Sequence, residues 1–142
     1  MNLVVDASVV AKWLFPELDT EKARALFDEG AAGRLALRAP ALLAAEIASV
    51  LSVRVWRQLL DANEALSLYS RFEASCPELD AISGLAAPAL RLAVRFRQSA
   101  YDCFYVALAE KENCPLVTAD EKLVRAFAPS FPQVCLLRDW HP

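Results

Sequence analysis

The sequence predicts an α/β fold, a three-layer α/β/α sandwich around a central parallel sheet. Three observations carry this reading. Leu3-Val4-Val5 and Leu116-Val117-Thr118 are short, apolar and rich in β-branched residues, as strands buried on both faces are. Longer stretches with helical periodicity separate these runs from weaker strand candidates. No hairpin dipeptide such as Asn-Gly joins any two of them, so the connections read as crossovers. The 142 residues suit one domain, 1–142, with a core of its own.

Taken in order, Leu3 to Val5 is a central strand, and Ala7 to Phe15 is a helix stopped by Pro16. Asp19-Thr20-Glu21 starts a second helix, with Ala23, Leu26 and Phe27 on one face, which ends at Gly30 to Gly33. Leu35 to Ala39 forms a short strand. Pro40 opens a long helix to about Leu60, since proline suits the first helical turn. Asp61 or Asn63 caps the next helix, which runs to Cys76-Pro77, and Leu79 to Ile82 is a further strand. Ser83-Gly84 leads into a helix ending near Arg97. Ser99 caps another, which Asn113-Cys114-Pro115 stops. The strand Leu116 to Thr118, a helix from Asp120 to Phe127 and a last strand, Val134 to Leu137, complete the chain before an irregular tail, Arg138 to Pro142.

Composition narrows the function. A formal net charge of −3 disfavours a protein that grips long nucleic acid by charge alone. Any such substrate needs local basic patches or metal ions to offset the acids. The single histidine, His141, argues against Ser-His-Asp and Cys-His hydrolases and against histidine-rich zinc sites. Cys76, Cys103, Cys114 and Cys135 lack metal-site spacing and read as buried, reduced thiols. No run is long and apolar enough for a membrane span. Asp6 falls where a signal peptide needs its apolar core, so the expectation is a cytoplasmic protein.

Most acids suit solvent, but four stand apart. Glu46 lies within Ala41-Leu42-Leu43-Ala44-Ala45-Glu46-Ile47-Ala48, the most apolar helical stretch of the chain. A carboxylate there must be paired, protonated or bound to a cation. A buried salt bridge with Arg54 or Arg95 is the plain explanation. Asp6, Asp102 and Asp120 each serve equally as helix caps, and Ser99-x-x-Asp102 fits a capping box. Yet Asp6 and Asp120 follow the two best strands. In an open parallel sheet, functional groups gather at the carboxyl ends of strands. Carboxylates meeting there repel one another unless divalent cations neutralise them. Oxygen-only ligands select Mg²⁺ or Mn²⁺, ions suited to phosphoryl transfer. With no Walker A pattern and only 3 glycines, phosphodiester hydrolysis is favoured over a nucleotide-fuelled reaction.

The matching segments are Leu3-Val4-Val5-Asp6-Ala7-Ser8, Pro40 to Glu46, Tyr101 to Glu110, and Leu116-Val117-Thr118-Ala119-Asp120 with Lys122-Leu123. In this order and spacing the chain resembles the PIN-domain family, most closely the VapC-like toxin ribonucleases of toxin–antitoxin modules. The resemblance implies a Mg²⁺- or Mn²⁺-dependent endoribonuclease with Asp6, Glu46, Asp102 and Asp120 as metal-site acids. It also places the hydroxyls of Ser8 and Thr118 near the metal, where both serve equally as cap or turn residues. It further implies an RNA substrate, an antitoxin partner and a homodimer. Ser49 stands where many relatives carry Asn, which touches hydrogen-bonding detail around Glu46. Lys12 and the Arg91, Arg95, Arg97 group are candidates for substrate contact, although three arginines also make an ordinary polar helix face.

Two rivals remain at this level. A PIN-like module that kept its acids but lost turnover would bind metal or a partner without cutting RNA. A receiver-type signalling domain shares the sheet but needs a lysine at the later strand end, where this chain has Asp120.

Overall fold

The computed structural model of the chain describes residues 1–141. Its centre is a five-stranded sheet in the order β3-β2-β1-β4-β5, with every neighbouring pair parallel. The strands are β1 (Asn2–Val5), β2 (Ala36–Pro40), β3 (Glu78–Asp80), β4 (Leu116–Thr118) and β5 (Val134–Leu136). The helices are α1 (Ala7–Leu14), α2 (Thr20–Ala31), α3 (Leu42–Trp56), α4 (Ala62–Ala74), α5 (Ala86–Phe96), α6 (Ala100–Glu112) and α7 (Glu121–Phe127).

From β1 the chain winds outward through β2 to β3, then returns to place β4 on the other side of β1. Right-handed crossovers running in opposite directions put their helices on opposite faces. On one side α1 packs against α2, and on the other α6 packs against α5 and across β1 and β2. This double cover explains the uninterrupted apolar runs: Leu3, Val4, Val5, Leu116 and Val117 are all fully buried. The reversal of winding opens a crevice between the carboxyl ends of β1 and β4, where ligands of such sheets bind. Asp6 and Asp120 stand at that crevice.

Several boundaries differ from the sequence reading. Pro40 does not open the long helix but ends β2, pairing with Asp80 of β3. The β1–β2 pairing stops at Val4 and Arg38, so the missing proline N–H breaks no bond to β1. The long helix ends at Trp56, short of Leu60, and Gln58 just beyond it has a left-handed φ of 59°. The third strand is Glu78–Asp80, followed by a 3₁₀ turn over Ile82–Gly84 in place of a strand reaching Ile82. Asp61 caps α4 and forms a reciprocal capping box with Glu64. The tail carries a 3₁₀ turn at Leu137–Asp139, and Pro142 lies outside the described residues. All four cysteines are free, as expected, and burial pushes each thiol up, that of Cys103 to about 11. None is an activated nucleophile. Among the described residues no helix is long and apolar enough to cross a membrane.

Candidate active site

The four acids singled out in the sequence line one cleft of about 300 Å³, together with Ala7, Ser8, Ser49, Val50 and Tyr105. The cleft continues past Glu46, Ser49 and Asp102 into a wider groove bounded by Leu42, Ala45, Ser99 and Tyr101. Four separate elements thus deliver carboxylates to one place. Asp6 follows β1, Glu46 projects from α3, Asp102 lies in the first turn of α6, and Asp120 follows β4.

Asp6 is the most tightly built. It caps α1 by accepting from the backbone N–H groups of Ser8 and Val9 at 3.0 and 3.2 Å. The Ser8 hydroxyl donates to Oδ1 at 2.5 Å, and the Thr118 hydroxyl donates to Oδ2. Ser8 in turn accepts from the Ala119 N–H at 2.9 Å, and Thr118 accepts from the Asp120 N–H at 3.0 Å. The two hydroxyls therefore stitch the end of β1 to the loop after β4. Asp6 is thus the cap of α1 and Thr118 a turn residue that accepts from Asp120, whereas Ser8, in the first turn of α1, caps nothing and bridges Asp6 to Ala119. Asp120 also caps its helix, accepting from Lys122 and Leu123 at 2.8 and 3.3 Å.

For Asp102 the capping-box reading falls. The Ser99 side chain makes no cap hydrogen bond, and only its backbone carbonyl accepts from Cys103, at 3.1 Å. The salt-bridge reading of Glu46 falls as well. Arg54 pairs instead with Glu17 at 2.6 Å, and the Arg95 guanidinium lies over the Phe96 ring. Glu46 accepts from the Tyr105 hydroxyl at 2.6 Å. Tyr105 went unnoticed in the sequence because its period assigns it to the core, where its ring is indeed buried. Its position three residues after Asp102, on the same helical face, was the available signal. Arg91, Arg95 and Arg97 do not line the cleft, nor does Lys12.

None of the four acids forms an ion pair among the described residues. Burial pushes the Asp6 carboxyl above its ordinary range, against the pull of its Ser8, Thr118 and Val9 hydrogen bonds, and Asp102 adds repulsion. Burial also raises Glu46, opposed by the Tyr105 hydroxyl and reinforced by Asp6 and Asp102. Asp102 is raised by burial and by Asp120. The cleft is an uncompensated concentration of negative charge, and a cation is what would relieve it.

The donor set fits a hard divalent ion: it is all oxygen, with no histidine or thiolate. As the side chains stand, however, no group of three or more acidic, His or Cys residues among those described is arranged to hold a metal ion. Both oxygens of Asp6 are engaged by protein donors. The chemistry of the donor set nonetheless suits a cation.

A doubly wound parallel sheet with unpaired carboxylates at its switch point defines a class of α/β domain built around an acidic cleft. The PIN domain family matches residues 3–127. Ribonuclease VapC3 of Pyrobaculum aerophilum is 33% identical over 131 residues, which cover 89% of this chain and 95% of that protein. The chain belongs to the PIN domain family. Among solved structures, PAE2754 from Pyrobaculum aerophilum matches with a TM-score of 0.67 at 23% identity, over 89% of this chain and 79% of that one. VapBC2 from Rickettsia felis, solved bound to a DNA fragment from the promoter, matches with a TM-score of 0.69 at 15% identity, over 96% and 97%. FitAcB from Neisseria gonorrhoeae matches with a TM-score of 0.53 at 18% identity, over 99% of each chain. At these identities the three structures establish the fold.

Proposed function

We propose that this chain is a Mg²⁺-dependent endoribonuclease, forming one domain over residues 1–142, and the toxin of a toxin–antitoxin pair. The observation that carries the reading is the convergence of Asp6, Glu46, Asp102 and Asp120 on one cleft with no basic partner. The name of its relative, Ribonuclease VapC3, supports the activity. The two-protein name VapBC2 supports an antitoxin partner. A cytoplasmic homodimer, with the partner bound over the acidic cleft, is part of the same proposal.

The four carboxylates would hold Mg²⁺ or Mn²⁺, whose chemistry when bound is polarisation of a phosphoryl oxygen and easier deprotonation of water. The protein's own contribution is placement. Ser8 and Thr118 fix Asp6 at the floor of the cleft. Tyr105 donates to one oxygen of Glu46, and Glu46 lines the cleft. Glu46 and Asp102 are carboxylates of the cleft, and a carboxylate can serve as general base toward water. One of them would receive the proton of an attacking water.

The test is cleavage of single-stranded RNA by wild type and Asp102→Asn, with Mg²⁺ and with EDTA. Cleavage is expected only for wild type in Mg²⁺. Mg²⁺ binding by calorimetry with no cleavage of any RNA would instead favour the silent binding module. Tyr105→Phe removes the hydroxyl and keeps the ring. It is expected to lower kcat about 10-fold, in line with loss of one hydrogen bond to a charged group, and to lower the melting temperature by about 3–6 °C, leaving the protein folded at the assay temperature. An unchanged kcat would remove Tyr105 from the mechanism.

A further inference from the structure

Beyond the cleft, one carboxylate serves two cations. Glu17 accepts from Arg54 at 2.6 Å through Oε1 and meets the Lys12 ammonium at 3.5 Å through Oε2. Among the described ion pairs no other acid is shared in this way. Arg34 has Glu29 and Arg138 has Glu121, while Arg38 has two acids, Asp80 and Glu112. The Glu17 cluster therefore carries one positive charge in excess, in a protein whose net charge is negative.

Its location follows from helix geometry. Ser8 and Val50 line the cleft. Lys12 lies four residues after Ser8 on α1, and Arg54 lies four residues after Val50 on α3. Each cation therefore sits one turn, about 6 Å, along the same helical row from a cleft residue. The two rows meet at Glu17.

The cluster is held in place. The Arg54 guanidinium stacks on the ring of Phe15, 3.7 Å from its centre. The buried Thr20 hydroxyl donates to the Phe15 carbonyl at 3.0 Å and accepts from the Glu17 N–H at 2.7 Å. Asp19 and Glu121 line a small crevice with Lys12, but Arg138 already pairs with Glu121, and neither acid is paired with Lys12 or Arg54.

We infer that Lys12 and Arg54, gathered by Glu17, form a phosphate-contact site for the RNA strand flanking the bond cut in the carboxylate cleft. The inference rests on the ribonuclease reading. It answers a difficulty that the acidic cleft creates, since four carboxylates repel the substrate's backbone. A stacked arginine beside a lysine supplies local attraction where global charge does not. Glu17 holds the two cations in register and competes with the incoming phosphate for them.

The test is the salt dependence of RNA cleavage by the Mg²⁺-loaded enzyme over roughly 50–200 mM salt. Lys12→Ala and Arg54→Ala are each expected to raise KM several-fold. Each should flatten the slope of log(kcat/KM) against log salt by about 0.7, the signature of one lost contact to a single strand. The value of kcat should stay within about twofold, because neither residue touches the reacting atoms. Arg54→Lys keeps the charge and should keep the slope, which separates the electrostatic role from packing on Phe15. Glu17→Gln removes the competitor and should lower KM about threefold, the scale of a partly exposed ion pair. Wild type that cuts RNA, with unchanged slopes in both alanine variants, overturns this inference alone. Wild type that cuts no RNA overturns the ribonuclease reading and this inference with it.

Discussion

Replacing Asp6 with asparagine is expected to lower RNA cleavage by a factor on the order of 10³ while leaving the fold intact. The magnitude follows from the role. A carboxylate that helps hold the cation contributes several kcal/mol of transition-state stabilisation, and each 1.36 kcal/mol is tenfold in rate. The intact fold follows from the local chemistry. Asparagine is as good an N-cap as aspartate, so its oxygen can still accept from the N–H groups of Ser8 and Val9. The Thr118 hydroxyl, which now donates to Oδ2, can rotate and accept from the new amide. The substitution also removes a buried charge that Asp102 and Glu46 repel. The melting temperature of the metal-free variant should therefore equal or exceed that of wild type. Cleavage assays and thermal melts on the same preparation check both halves. A variant that loses activity only because it unfolds would show Asp6 to be structural.

How much of this was legible beforehand depends on how local each signal is. Asp6 and Asp120 could be placed because each follows a short run of β-branched residues, and the end of a strand is a local property. That they share a crevice depends on the strand order β3-β2-β1-β4-β5, which no local pattern records. Glu46 stood out through its apolar neighbours, but its partner did not. Arg54 was a reasonable candidate on the same helix. It turns instead to Glu17 because the loop between α1 and α2, tied by Thr20, places that acid and the Phe15 ring beside it. Tyr105 was hidden by doing two things at once, burying its ring in the core and offering its hydroxyl to the cleft. Pro40 misled because proline suits both a first helical turn and a strand end that needs no further N–H, and only the register with Asp80 decides.

The same charge concentration predicts how stability responds to pH and metal. In the folded, metal-free protein Asp6, Glu46 and Asp102 are all raised above their ordinary values. In the unfolded chain they titrate near about 4. Between the unfolded and folded values the native state holds more protons than the unfolded state, so the slope of unfolding free energy with pH is negative. These three groups contribute stability that is fully present below about pH 4 and is lost as the pH rises through their folded values. Surface-paired acids act the other way: Glu29, lowered by its Arg34 partner, favours the folded state at higher pH. The cleft should therefore appear in the difference between wild type and Asp6→Asn in EDTA, with wild type losing more stability as the pH rises. Mg²⁺ should reverse this loss, because protons and the cation compete for the same oxygens. At 100 times its dissociation constant a ligand adds about 2.7 kcal/mol, or roughly 5–10 °C for a chain of this size. The gain should be present at about pH 8, small at about pH 5 and absent in Asp6→Asn. Thermal melts at the two pH values, with Mg²⁺ and with EDTA, measure it. An equal Mg²⁺ shift at both pH values, or one that survives in Asp6→Asn, would place the bound cation somewhere other than this cleft.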